Sequence, residues 1–215
     1  MVRRGIFITF EGIEGSGKSI QARRVAEKLE SLGHDVLLTR EPGGTAIGER
    51  IRRILLSPES SGMDAMCELL LYLADRVQHQ SEVLIPSLDL GRVVICDRYF
   101  DASIAYQAKA RGLGGFAEEL ISRFAQPVPD LTLLLDCSAE TGLSRARGRV
   151  RQRGEQAFAR FEEEEDVGFH RSVRAAYLSL AQSQPDRIKV VNSELAADEV
   201  FDRVWELVSG CVGDK

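Results

Sequence analysis

Residues 12–19 read Gly-Ile-Glu-Gly-Ser-Gly-Lys-Ser, the spacing G-x-x-x-x-G-K-S. They follow an apolar run, Ile6-Phe7-Ile8-Thr9-Phe10, and precede a helical pattern carrying Val25, Leu29 and Leu32. Strand, glycine-rich loop and helix in that order fix both a local fold and a ligand class. The glycines let the backbone wrap closely and point its N–H groups at phosphate oxygens. The helix that follows adds the positive end of its dipole. Gly12, Gly15, Ser16, Gly17, Lys18, Ser19 and Ile20 are therefore the predicted contacts to a nucleoside triphosphate. In this arrangement Lys18 neutralises the β- and γ-phosphates and the Ser19 hydroxyl completes a Mg²⁺ shell. The motif alone leaves open whether the chain is a kinase, a switch or a motor.

The rest of the chain alternates short β-rich runs with longer helical patterns. Predicted strands are 6–10, 36–39, 93–96, 131–136 and 187–191, and predicted helices are about 17–32, 46–56, 64–88, 100–111, 116–125, 139–148, 158–182 and 196–209. Continuous apolar strands suit a parallel sheet covered on both faces. The expectation is an α/β three-layer sandwich, a five-stranded parallel sheet flanked by helices with right-handed crossovers. With 215 residues and no low-complexity linker, residues 1–215 read as one domain. A net charge of −5 argues against a protein that coats nucleic acid. The first apolar run is too short for a membrane span. Cys67, Cys96, Cys137 and Cys211 show neither metal spacing nor a disulfide framework, which suits a reducing cytoplasm.

A second strand ends in Asp97-Arg98-Tyr99. A carboxylate at the C-terminal end of a parallel strand stands where open α/β sheets bind ligands. Asp97 can hold Mg²⁺ or position an acceptor, and Arg98 can fork onto a phosphate. Asp136, ending a third strand, is a rival for the metal role. Arg145, Arg147, Arg149, Arg151 and Arg153 form a cluster interrupted by Gly148 and Gly154, the composition of a flexible lid over about residues 146–156. A basic loop balancing the acidic run 162–166 is the alternative.

Four blocks in order resemble the thymidylate kinases of the bacterial type. They are Phe10 to Ser19, then Thr39-Arg40-Glu41-Pro42-Gly43-Gly44-Thr45 with Ile47-Gly48-Glu49, then residues 70–79, and finally Asp97 to Gln107. Together with the arginine-rich segment the likeness spans nearly the whole chain. It implies the P-loop NTPase fold and transfer of the ATP γ-phosphoryl group to dTMP, giving dTDP for dTTP synthesis. Tyr72 would face the thymine ring and Arg76 would donate to an exocyclic base oxygen. The two lie four apart, on one face of a predicted helix. Arg98, with Arg40, would bind the acceptor phosphate, and Glu14 would accept from the sugar 3′-hydroxyl. Ser103, Tyr106 and Gln107 would line the remaining acceptor pocket.

No arginine occupies the variable positions of the glycine-rich loop, so the resemblance assigns the catalytic arginine to the lid. The pool is Arg147, Arg149, Arg151 and Arg153, with Arg149 and Arg153 foremost. The junction Ala159-Arg160-Phe161-Glu162 departs from the family's usual Asp-Arg pair, and Ala102-Ser103 departs on the sugar side. Lys18 and Arg98, with the lid arginines, would offset charge during in-line attack by an already anionic phosphate. The resemblance also implies a homodimer, through helices around 64–88 and 100–111. The run Leu69-Leu70-Leu71 is compatible with that or with core.

Overall fold

The computed structural model describes residues 4–153, Arg160 and residues 165–213, with backbone alone for 150–153. Five strands, β1 (Ile6–Glu11), β2 (Val36–Arg40), β3 (Val93–Asp97), β4 (Leu131–Asp136) and β5 (Ile188–Asn192), form one sheet. Their order is β2-β3-β1-β4-β5 and every pairing is parallel. The helices are α1 (Lys18–Ser31), α2 (Ala46–Leu56), α3 (Ala65–His79), α4 (Ile85–Asp89), α5 (Phe100–Ser103), α6 (Gly114–Arg123), α7 (Ala139–Arg153), α8 (Val167–Ser183) and α9 (Ala197–Gly213). A π-helical segment, Gln80–Leu84, joins α3 to α4, and a second, Ile104–Ala110, continues α5.

The continuous apolar strands are explained by cover on both faces. Ile6, Ile8 and Phe10 of β1 pack with Val25, Leu29, Val204 and Val208 of α1 and α9. Phe7, between them in sequence, turns the other way and packs with Leu69, Leu73 and Leu84 beside Val94 and Cys96 of β3. A third cluster places Val173 and Tyr177 of α8 against Leu134, Cys137 and Ile13. These are the helix, sheet and helix layers anticipated from the strand pattern.

Chain order reverses at β1. From there α1 leads to one side of the sheet, while the chain leaves β3 for β4 on the other. Such switch points open a crevice beyond the strands' carboxyl ends. Register aligns that edge, since Asp97 pairs with Phe10 of β1 and with Arg40 of β2. The glycine-rich loop, Arg40 and Asp97 are thus brought level.

Two elements differ from expectation. The helix predicted for 139–148 runs through the half-buried Gly148 to Arg153, because one interior glycine costs a helix only about 1 kcal/mol. The helix predicted to begin near 158 is described from Val167, capped by the Asp166 carboxylate accepting from Phe169 N at 2.8 Å. Residues 154–156 of the anticipated lid lie outside the described residues.

Candidate active site

A cleft of about 820 Å³ opens at the switch point. Its walls include Glu14, Gly15, Gly17, Lys18, Ser19 and Ile20 of the glycine-rich loop and α1. Arg40, Tyr72, Arg76, Asp97, Arg98, Ser103, Tyr106, Gln107 and Arg149 complete the sequence-predicted set found there. Gly12 and Ser16 stand behind the wall instead. Gly12 adopts φ 139° with its Cα against the Leu135 carbonyl, a position closed to any side chain. The buried Ser16 hydroxyl accepts from Lys18 Nζ at 3.3 Å. The side chains of Arg151 and Arg153 lie outside the described residues.

Lys18 folds back over its loop, donating to the carbonyls of Gly12 (3.0 Å) and Ile13 (2.7 Å). Burial, followed by repulsion from Arg98, lowers its ammonium pKa to about 8, with Asp97 and Glu14 opposing the shift. The Ser19 hydroxyl donates to Asp97 Oδ2 across the switch point. Asp97 therefore caps no helix; it faces the loop. Asp136 is engaged by Arg174, whose Nε and NH2 reach its two oxygens at 2.7 and 2.8 Å. That leaves Asp97 as the carboxylate beside Ser19. A hydroxyl and a carboxylate oxygen form a hard donor pair, the kind Mg²⁺ takes alongside phosphates and water. Arg145, first of the cluster, donates to the Ser193 carbonyl at 2.9 Å, which is a structural tie.

Arg98 follows β3 with φ 71°, a left-handed conformation rarely adopted by a residue with a side chain. The turn aims its guanidinium across the cleft. NH2 donates to Glu14 Oε1 at 2.7 Å and NH1 to the Tyr177 hydroxyl at 3.2 Å. Burial alone would raise the Glu14 carboxyl, but Arg98, with His170 next, holds it well below the usual carboxylate range. Behind them, Glu11 accepts from Tyr99 N and from the Tyr177 hydroxyl, both at 2.7 Å. One fully buried carboxylate thus secures the strained backbone after Arg98 and the phenol that meets its guanidinium. Burial, with Asp101 second, pushes Glu11 up to about 7.

On the opposite wall Tyr72 and Arg76 share a face of α3, as the spacing of four required. Arg76 is 1% exposed. Its Nε donates to Glu41 Oε2 and its NH2 to Ser103 Oγ, both at 2.9 Å. NH1, also buried, has no hydrogen-bond partner among the described residues. Glu41 also meets His79 Nδ1 at 3.0 Å, and His79 Nε2 lies 2.7 Å from Thr39 Oγ1. The π-helical segment widens the turn at Ile104–Ala110 and sets consecutive residues Tyr106 and Gln107 into the same cleft. Tyr106 donates to Glu14, and Gln107 Nε2 donates to Glu68 Oε1 at 2.8 Å.

Sequence reasoning missed Arg52, which lines the cleft near Arg40 and donates to the Pro42 carbonyl at 2.9 Å. A signal existed. Thr45 caps α2, accepting from Gly48 N at 2.9 Å, and that anchor puts Glu49 and Arg52 on one face. The buried supports Glu11, Glu41, Glu68, Asp75 and His170 carried no such mark in the sequence.

A phosphate-binding loop at a switch point, facing across one cleft an arginine-lined pocket for a second ligand, defines a P-loop kinase of small phosphorylated acceptors. Comparison with known proteins narrows the class. The family model "Thymidylate kinase" matches residues 10–204. Thymidylate kinase of Syntrophotalea carbinolica is 49% identical over 208 residues, covering 96% of each chain. That of Pelobacter propionicus is 48% identical over 202 residues, covering 93% of this chain and 92% of the relative. The crystal structure of thymidylate kinase from Ehrlichia chaffeensis superposes with a TM-score of 0.77 at 30% identity, covering 95% of this chain and 99% of that one. The chain belongs to the thymidylate kinase family, whose members are nucleoside monophosphate kinases.

Proposed function

We propose that this chain transfers the γ-phosphoryl group of ATP to dTMP, giving dTDP for dTTP synthesis. The observation that carries the reading is Arg76. Two of its nitrogens are fixed by Glu41 and Ser103, and the third is a buried donor without a partner among the described residues, in a side chain that lines the cleft. A buried donor left unsatisfied is expensive, so the site is built for a ligand that accepts there. A thymine carbonyl accepts; the amino group of cytosine does not. Gln107 adds to this selectivity. Its amide nitrogen is committed to Glu68, which leaves the amide oxygen to accept from an imino N–H of the base. Tyr72 supplies the adjoining aromatic wall.

The acceptor phosphate is assigned to Arg98, Arg40 and Arg52, with Glu14 holding Arg98 and accepting from the sugar. Lys18 and the backbone of the glycine-rich loop bind the ATP phosphates, and Arg149, which lines the cleft, offsets charge on the transferring group. Arg153 is retained as the second lid arginine. Ser19 and Asp97 would hold Mg²⁺, which would supply positive charge to offset that of the phosphates. The acceptor phosphate is already anionic, so the protein's work is alignment and charge compensation.

The chain is proposed to work as a cytoplasmic homodimer, on small nucleotides and not on nucleic acid or membranes. Among the described residues no helix is long and apolar enough to cross a membrane. Leu69 is core, but Leu70 (52%), Val77 (43%) and Ile85 (46%) leave an exposed apolar stripe along α3 and α4 that supports the dimer. Coupled ADP release with ATP–Mg²⁺ and dTMP, dUMP, UMP, CMP, AMP or GMP tests the acceptor. Clear preference for dTMP, lost in Arg76→Ala, is expected; another preferred monophosphate would overturn the assignment.

A further inference from the structure

Glu68 lies on α3, one turn before Tyr72, and is fully buried. Four hydrogen bonds converge on it. Oε2 accepts from Arg160 NH2 at 2.6 Å and from Arg111 NH2 at 3.2 Å, while Oε1 accepts from Gln107 Nε2 at 2.8 Å and from Arg111 Nε at 3.3 Å. Burying a carboxylate in a kinase pocket needs a reason, because the same volume filled by apolar atoms carries no desolvation penalty. The two arginines neutralise it without using the side of Oε1 that faces Gln107.

We propose that Glu68 is a positioning residue for base selectivity, acting through the side-chain amide of Gln107. The inference rests on the reading of Gln107 as a base contact. An amide can turn over and exchange its oxygen for its nitrogen at almost no steric cost, which would convert an acceptor facing the base into a donor. A carboxylate flanked by two guanidinium groups only accepts, so it can be satisfied only by the amide nitrogen. The amide oxygen is then left to the cleft. A protonated ring nitrogen at position 3, as in thymine or uracil, is matched by that oxygen; an unprotonated one, as in cytosine, is repelled by it. Arg76 reads the exocyclic atom next to it. The two contacts therefore enforce the same choice from two different walls of the pocket.

The geometry predicts more than a loss in Glu68→Gln. One oxygen must now serve Arg160 and Arg111, whose NH2 groups met Oε2, while Arg111 Nε gives up its longer bond to Oε1. The new amide nitrogen then faces Gln107, whose own oxygen turns toward it and whose nitrogen turns into the cleft. The polarity offered to the base is inverted.

The test is kcat and KM for dTMP and dCMP in wild type, Glu68→Gln, Glu68→Asp and Glu68→Met, with melting temperatures alongside. In Glu68→Gln the ratio of kcat/KM for dTMP over dCMP should fall about 10–100-fold, mostly through a higher KM for dTMP. Glu68→Asp keeps an acceptor-only group and should hold the ratio within about threefold of wild type. Glu68→Met frees the amide without inverting it and should move the ratio the same way by a smaller factor, so the proposal stays testable if Glu68→Gln does not fold. A merely structural Glu68 would lower melting temperature and both activities together, leaving the ratio unchanged, and that result overturns the proposal. Equal shifts in the Asp and Gln variants would do the same. A wild-type enzyme without preference for dTMP would overturn the base-contact reading itself, a separable outcome.

Discussion

Replacing Arg76 with methionine should unfold the protein more readily than the loss of its two hydrogen bonds alone suggests. The guanidinium lies 2.9 Å from Glu41, with the side chains 1% and 2% exposed. Without it, Glu41 loses its guanidinium partner and keeps the contact with His79, and Ser103 loses a donor. Removing one partner of a buried pair costs about 3–5 kcal/mol, and loss of the guanidinium over Tyr99, 5.3 Å from the ring centre, adds about 0.5–1 kcal/mol. Taking about 4 kcal/mol, and roughly 2–4 °C per kcal/mol for a chain of this size, the melting temperature should fall by about 8–16 °C. Most of that cost is an orphaned carboxylate, not a lost attraction. The double variant Arg76→Met/Glu41→Gln should therefore melt above Arg76→Met, recovering roughly half the loss. Thermal denaturation of wild type, the two single variants and the double variant completes the cycle. If Arg76→Met melts within about 3 °C of wild type, or if adding Glu41→Gln lowers the melting point further, the assignment of the cost to the stranded charge is wrong.

Asp75 is buried with Oδ2 unpartnered among the described residues, and burial, then Glu41, pushes its carboxyl up to about 7. A raised carboxyl binds its proton more tightly folded than unfolded, so it removes stability as pH rises from about 4 to 7. Denaturant titrations of wild type and Asp75→Asn should therefore diverge in the variant's favour over that range by an amount on the order of 3 kcal/mol; parallel pH profiles would refute the shift. Asp97→Asn should reduce kcat about 100-fold or more and raise the Mg²⁺ concentration needed for half-maximal rate, as read by a Mg²⁺ titration of ADP release. Gly142→Ala would bring a methyl 2.5 Å from the Glu14 carbonyl oxygen. It should lower kcat at least about tenfold while far-ultraviolet circular dichroism keeps the helix content.

The sheet, its order of elements and the loop were legible because they are written in local patterns: apolar runs, a spaced glycine motif and two strand-ending aspartates. The wall formed by Tyr72 and Arg76 was legible because helical spacing is itself geometry. What lay beyond reach was set by contacts distant in sequence. Glu68 meets Gln107 and Arg160, 39 and 92 positions away, and Glu11 meets Tyr177 166 positions away. No local pattern distinguishes such carboxylates from solvated ones. The end of α7 departs from expectation for the opposite reason: glycine marks a boundary only locally, and its cost at position 148 is too small to end the helix. The π-helical turns were hidden because a one-residue expansion leaves composition unchanged, yet it is what lets neighbours 106 and 107 reach the same cleft.

Gly15 and Gly142 touch backbone to backbone, so α7 rests on the phosphate loop with no side chain between them. Such a seat is a fulcrum. Arg149 stands seven residues farther along the helix, an arm of about 10 Å at 1.5 Å per residue. Tilting α7 by about 10° on that seat would carry the arginine's backbone through roughly 2 Å, the difference between a hydrogen bond and none. Slight repositioning of the loop around a triphosphate is thereby magnified at the far end of the lever, and two glycines suffice to make the bearing.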